Sequence, residues 1–112
     1  MSISNTVIRF VRRLADEQYE KADAAWTAEQ PGVADAYAYT ARVLHAMTSS
    51  FTAPSAACVR RWAREERAAA RHYLHRDSQY AFEANHCASI LDQLADKLET
   101  FAQFAAFAAE AG

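Results

Sequence analysis

Glycine and proline are almost absent from this chain, with only two of each among 112 residues. Both residues supply the tight turns that connect strands, so their scarcity excludes a fold built from many short strands. Alanine, the strongest helix former, recurs along the whole sequence. With 52% hydrophobic residues, a chain of this length can bury a core. The sequence therefore predicts an all-α protein with one domain over residues 1–112.

The few helix-breaking residues divide the chain into four predicted helices. Pro31 and Gly32 are expected to end the first helix. Thr52 is the candidate N-cap of the third, with Pro54 in its first turn, and Asp77 or Ser78 caps the fourth. The predicted helices cover residues 5–29, 34–50, 54–76 and 78–109. Short connections favour antiparallel neighbours, so we expect an antiparallel four-helix bundle with a long C-terminal helix.

The third predicted helix carries an unusual concentration of positive charge. Residues 60–76 contain six arginines against two glutamates, whereas the whole chain has a net charge of −2. On a helical wheel most of these cations fall on one side, opposite an apolar side, and they form a candidate binding stripe. The predicted binding residues are Arg60, Arg61, Arg64, Arg67, Arg71 and His75.

Three interpretations of this stripe remain open at the level of sequence. The first is a solvated helix face. The second is a surface for an acidic protein partner or for the acidic helices of a second copy. The third is a site for nucleic acid phosphates. A DNA-recognition helix usually follows a short turn, whereas the loop before this helix is longer and contains Pro54. Side chains that read bases, such as Asn and Gln, are also scarce here. Nucleic acid is therefore the less favoured partner.

The fourth predicted helix is apolar almost all round near its end (FAQFAAFAA). Leu91 and Leu98 continue a near-heptad core stripe, which leaves part of the aromatic surface on another side. The candidate self-association residues are Phe101, Phe104 and Phe107. The alternative is that the first helix or a curl of the tail covers them. A membrane-surface role is disfavoured because this tail lacks Lys and Arg.

Four side chains stand out against the apolar pattern. Gln18 and Glu66 fall on predicted core faces, so each needs a polar partner; a Tyr hydroxyl, an Arg or water would suit Glu66. Alternatively, Glu66 belongs to a binding groove. Tyr39 is predicted to point away from the core, and Trp26 to lie within it.

No set of residues in the sequence forms a convincing catalytic or metal site. Glu83-x-x-His86 is half of a di-iron motif without its second half, and His72 and His75 lack a closed set of zinc ligands. His86 is also predicted to face outward. Glycine-rich phosphate loops, nucleophile elbows and Cys-x-x-Cys pairs do not occur. We expect no cofactor, no metal and no enzymatic activity.

The two cysteines, Cys58 and Cys87, are predicted to remain reduced. In a hairpin that turns at Asp77 they are offset by nine residues, or roughly 13 Å along the helices. A disulfide needs Cα atoms within about 7 Å. The sequence also has no run of 18 apolar residues and no signal-peptide pattern, so we expect a cytoplasmic protein without membrane contact.

These observations favour a small non-enzymatic protein–protein interaction module, in the role of an adaptor, inhibitor or regulator. Its expected partner is a protein with an acidic surface, and a homodimer is a further expectation. Small helical proteins without motifs are frequent among phage and mobile-element inhibitors of host systems, anti-CRISPR proteins included. The alternative is a nucleic-acid-binding regulator that uses the arginine-rich third helix.

Overall fold

A computed structural model describes the backbone of residues 3–50 and 52–111, with side chains up to Ala105 in these ranges. The described part of the chain contains four α-helices and no strand. They are α1 (Ile3–Thr27), α2 (Pro31–Met47), α3 (Ala56–Tyr73) and α4 (Ser78–Ala111). The all-α prediction is confirmed. The side chain of Phe107, a predicted self-association residue, lies outside the described residues.

The first connection differs from its prediction, because Pro31 begins α2 instead of merely ending α1. Proline suits the first turn of a helix, where its missing N–H would have no helical partner. α1 closes with hydrogen bonds from Gln30 N–H to the Ala25 carbonyl (2.9 Å) and from Glu29 N–H to the Trp26 carbonyl (3.1 Å). This is the Schellman pattern, and it places Glu29 at a left-handed φ of 61°.

The caps of α3 and α4 are side-chain oxygens. The predicted cap at Thr52 is wrong: Ser55, in extended conformation, accepts a hydrogen bond from Cys58 N–H (3.1 Å), and Pro54 precedes the helix. α3 ends at Tyr73, earlier than predicted. The cap at Asp77 is confirmed, since Tyr80 N–H donates to its Oδ1 at 3.0 Å.

The helices pack as two pairs, α1 with α2 and α3 with α4, which meet chiefly where α2 contacts α4. Pairs of contacting residues run in opposite order along α3 and α4, as expected for antiparallel neighbours: Arg60 contacts Glu99, whereas Arg67 contacts Asp92. All four helices contribute to one main core. Its larger buried side chains are Val7, Val11, Leu44, Met47, Val59, Cys87, Leu91, Leu94 and Leu98.

Trp26 corrects the predicted core face of α1, because 63% of its surface is exposed. Ala22 and Ala25 are buried nearby, so the last turns of α1 contact their neighbours through small side chains. Trp26 follows Ala25 by 100° around the helix and extends past this contact. Tyr73 and Leu74 are likewise exposed, because they lie at the end of α3.

The molecule measures 52 × 30 × 22 Å. Its longest dimension is set by α4, whose 34 residues span about 51 Å at 1.5 Å per residue. Ile3 and Ser4 line the same groove as Ala102 and Gln103. Because α4 extends beyond Gln103 to Ala111, it continues past the start of α1. Within the described residues, no helix is both long and apolar enough to cross a membrane.

Candidate protein-interaction surfaces

Two of the predicted binding arginines are held by α4. The Arg60 guanidinium binds Glu99 Oε2 at 2.7 Å and Asp96 Oδ1 at 2.9 Å. The hydrogen bonds to Glu99 and Asp96 raise the pKa of Arg60 above its ordinary value. Arg67 forms an ion pair with Asp92. These two arginines therefore offset part of the negative charge of the neighbouring helix, and they are less exposed than the other arginines of α3. Their part in binding a partner stays a prediction.

The remaining arginines of α3 form a narrower exposed row, called here the arginine row: Arg61, Arg64 and Arg71. None of the three makes an ion pair with another described residue. On a helix they lie within about 80° of one another and span about 15 Å. α3 places its buried residues Val59, Ala63 and Ala70 against the core, so the arginine row faces solvent.

His75 does not belong to this helical row. α3 ends at Tyr73, and His75 lies exposed in the turn of residues 74–76. The reason is local: after the αR cap residue Leu74, the Asp77 and Arg76 amides both donate to the Tyr73 carbonyl. The turn then leads directly into α4.

Glu66 finds the kind of partner that its position on a core face requires. The Tyr39 hydroxyl donates to the Glu66 carboxylate, 2.7 Å from Oε2 and 3.0 Å from Oε1. Tyr39 is therefore directed toward α3, and the prediction that it points away is wrong. Its ring also packs edge-on against Tyr80, 5.9 Å between centroids. Through these two contacts, Tyr39 of α2 joins Glu66 of α3 and Tyr80 of α4.

Burial governs the protonation of this cluster. It raises the pKa of Glu66, and the Tyr39 hydrogen bond acts against that shift. Burial, together with the hydrogen bonds to Tyr80 and Glu66, also raises the pKa of Tyr39. Cys87 lies deeper, and burial and the Glu66 charge raise the pKa of its thiol to about 12. A thiol with so high a pKa is a poor nucleophile at neutral pH.

A second polar contact joins α1, α2 and α4. His86 Nε2 lies 3.4 Å from the Oε1 of buried Gln18. The His86 ring also meets the Tyr37 ring edge-on at 4.8 Å. The expectation of a polar partner for Gln18 is confirmed, whereas the prediction that His86 faces outward is wrong. Burial, with a smaller effect of Lys21, lowers the pKa of His86.

Both cysteines are free thiols; Cys87 is buried and Cys58 is half-buried. Among the residues with described side chains, no group of three or more His, Cys, Asp or Glu could hold a metal ion. Every buried side-chain nitrogen or oxygen in the same set has a hydrogen-bond partner.

Three exposed phenylalanines lie near the end of the molecule where α1 begins. Phe104 is 73% exposed, and Phe10 and Phe101 are 39% and 37% exposed. We call these three residues, with Lys97 between them, the phenylalanine patch. Neither α1 nor any other described part of the chain covers Phe104. Sequence reasoning did not identify Phe10, although its place beside the Val7–Val11 face of α1 is a signal that could have revealed it.

Comparisons with protein-family models, with curated proteins and with solved structures found no match to this chain. The function must therefore be inferred from the two exposed surfaces. The arginine row offers charge on a rigid helix. The phenylalanine patch offers apolar area beside a groove.

Proposed function

We propose that this chain is a small non-enzymatic protein–protein interaction module that acts as an adaptor, inhibitor or regulator. It binds an acidic protein surface through the arginine row of α3, presented by an antiparallel four-helix bundle. Inhibitors of host systems made by phages and mobile elements, anti-CRISPR proteins among them, are one class that such a module fits. The observation that carries the proposal is that Arg61, Arg64 and Arg71 are exposed and form no ion pair with any residue that the structure describes.

The division of labour within α3 supports this proposal. Arg60 and Arg67 are used by the fold, since α4 supplies a carboxylate to each. Three further arginines on the same helix are not needed for that purpose. An exposed arginine can form bidentate hydrogen bonds with a carboxylate, and a rigid helix fixes the spacing of three such groups.

Nucleic acid is the second candidate, because the arginine row could also contact phosphates. Two features weigh against it. Asp92, Asp96 and Glu99 lie along the same side of α4 and contact the arginines that border the row, which lowers the positive potential beside it. The chain also carries a net charge of −2, whereas binding to nucleic acid depends on a broad basic surface.

The experiment compares a charge-reversed variant, Arg61→Glu/Arg64→Glu/Arg71→Glu, with the unmodified chain. Affinity capture from the source cells identifies the partner, and the purified partner is then titrated directly. We expect binding to weaken by at least about tenfold, because like charges at an interface cost several kcal/mol. The matched control is Arg13→Glu/Arg42→Glu, which reverses two exposed arginines on α1 and α2 and should keep full affinity.

Two outcomes would overturn the proposal. One is a partner that binds the charge-reversed variant as tightly as the unmodified chain. The other is tight binding of a labelled DNA duplex or RNA strand that weakens steeply with salt and is lost in the charge-reversed variant. The second result would assign the row to nucleic acid.

A further inference from the structure

The phenylalanine patch is large enough to require an explanation. A phenylalanine side chain offers roughly 200 Å² of surface, so the exposed fractions of Phe10, Phe101 and Phe104 amount to about 300 Å² of aromatic area. This area is comparable with the largest apolar patch on a typical soluble monomer, and such patches are often functional. The patch lies apart from the arginine row, because it involves α1 and the far part of α4.

A groove runs beside the exposed Phe104 ring. An apolar pocket of about 180 Å³ lies between α1 and α4, and its walls include Val7, Phe10, Leu98 and Phe101. A shallower groove shares Lys97 and Phe101 with it and continues to Phe104. The same chain therefore carries a protruding aromatic side chain and, on the preceding turns of the same helix, a recess lined by apolar side chains.

We propose that a second copy of this chain covers the patch, with the two α4 helices packed antiparallel about a two-fold axis near Thr100 and Phe101. The exposed residues Gln93, Lys97, Thr100 and Phe104 recur at alternating spacings of four and three, so they share one face of α4 that can meet the same face of a second copy. An axis midway between positions 97 and 104 places each Phe104 against Lys97 and the pocket of the other copy.

The charges along this seam suit self-association. Lys97 is its one charged residue, and two-fold symmetry sets it against an aromatic ring instead of a second lysine. The Lys97 ammonium already lies 5.7 Å from the centroid of the Phe10 ring, which is a cation–π distance. Phe104 of the second copy would add a second ring. Asp96 and Glu99 both contact Arg60, so they are drawn toward α3 and one of their two charges is compensated there.

The molecule is also more extended than a compact monomer of its size. The accessible surface is 7133 Å², whereas a compact monomer of this mass is expected to have about 6,200 Å². The radius of gyration is 15.5 Å, against about 13 Å expected for the chain length. A seam between two protruding helices would bury part of this excess. A seam of this modest apolar area belongs with weak, transient interfaces, so we expect a dimer with a Kd in the micromolar range or weaker.

Cysteine cross-linking tests both the partner and the orientation. In a Cys58→Ser background, Thr100→Cys should form a covalent dimer under mild oxidation, because the two copies of position 100 lie beside the axis. Gln93→Cys should not, since an antiparallel seam separates its two copies by about 22 Å. Cross-linking of both variants would indicate a parallel seam and would overturn the proposal.

Light scattering and sedimentation across the micromolar range provide an independent test. We expect the mass to rise with concentration, and Phe104→Glu to abolish the rise while the helical circular dichroism stays unchanged. Phe82→Glu is the matched control, because Phe82 is 46% exposed on the same helix but lies outside the seam, and it should still dimerise. A mass that stays monomeric over the whole concentration range overturns the proposal. A protein that stays monomeric and sediments with neutral lipid vesicles overturns it as well.

Discussion

The Glu66 carboxylate is partly buried between α2, α3 and α4. The Tyr39 hydroxyl replaces part of the hydration that the carboxylate loses there. Two short hydrogen bonds from Tyr39 reach it, of 2.7 and 3.0 Å. A partly buried carboxylate without such a donor would be costly, since hydrogen bonds to charged groups contribute roughly 1.5–3 kcal/mol. Tyr39 and Glu66 thus form one unit that ties α2 to α3.

Tyr39→Phe should therefore lower the free energy of unfolding by about 1–2 kcal/mol, because it leaves the carboxylate without its donor. Urea denaturation at neutral pH measures the change. Tyr19→Phe is the control: Tyr19 is 38% exposed, so its variant should remain within about 0.5 kcal/mol of the unmodified chain. Equal stability of all three proteins would show that the Tyr39–Glu66 pair contributes nothing.

His86 should make stability depend on pH in the mildly acidic range. Its folded-state pKa is lowered from 6.5 by burial and, to a lesser extent, by Lys21. Protonation therefore favours the unfolded chain. The contribution of neutral His86 is complete above about pH 6.5 and is lost as the pH falls through the lowered pKa of the folded state.

We accordingly expect the unmodified chain to lose more stability than His86→Gln when the pH is lowered from 7.5 to 5.5. Chemical denaturation at the two pH values measures both losses. His75→Gln serves as the control, because His75 is exposed in the turn after α3, and it should behave like the unmodified chain. Identical losses in the unmodified chain and His86→Gln would contradict the predicted role of His86.

At the scale of elements, the C-terminus of α1 contains a residue that does not suit its conformation. Glu29 adopts a φ of 61°, a left-handed conformation that costs a residue with a Cβ about 1–2 kcal/mol. The hydrogen bonds of the Schellman motif hold it there. Glycine is the residue that this position favours.

Glu29→Gly should raise the free energy of unfolding by about 0.5–1 kcal/mol, because relief of the left-handed strain outweighs the greater entropy of unfolded glycine. The midpoint of urea denaturation measures the gain. Ala28→Gly is the paired control, since Glu29 is the one described non-glycine residue with a positive φ; it should be neutral or destabilising. A lower midpoint for Glu29→Gly would show that the turn does not adopt this conformation in solution.

The ion pairs between α3 and α4 lie at the surface and contribute little to the stability of the fold. Arg60 contacts Asp96 and Glu99, while Arg67 contacts Asp92. Exposed pairs of this kind contribute about 0–1 kcal/mol each. The buried residues of the two helices, such as Val59, Leu91 and Leu94, supply the larger apolar contribution. The pairs nevertheless decide which arginines remain available to a partner.

At the scale of the whole molecule, the two proposed surfaces are separate. The arginine row occupies the exposed face of α3, whereas the phenylalanine patch lies where α1 begins and α4 continues past it. A partner and a second copy could therefore bind at the same time. Loss of one interaction in its variant should leave the other intact, so each proposal can fail alone.

Much of the architecture could be predicted from local sequence. Scarce glycine and proline, the Asp77 cap and the near-heptad of Leu91 and Leu98 indicated four helices and the long fourth one. Predictions failed where contacts between helices decide the result. Trp26 is exposed because the end of α1 packs through alanines. His86 is half-buried because α1 and α2 both approach that turn of α4.

The candidate surfaces show the same division. The sequence alone indicated that α3 is rich in arginine and that the end of α4 is rich in phenylalanine, since composition and the 3.6-residue period are local properties. It could not separate Arg60 and Arg67 from Arg61, Arg64 and Arg71, because that distinction depends on which carboxylates of α4 lie opposite. The tertiary structure also decided that Phe104 is exposed and that Tyr39 stabilises Glu66, since both depend on where other helices lie.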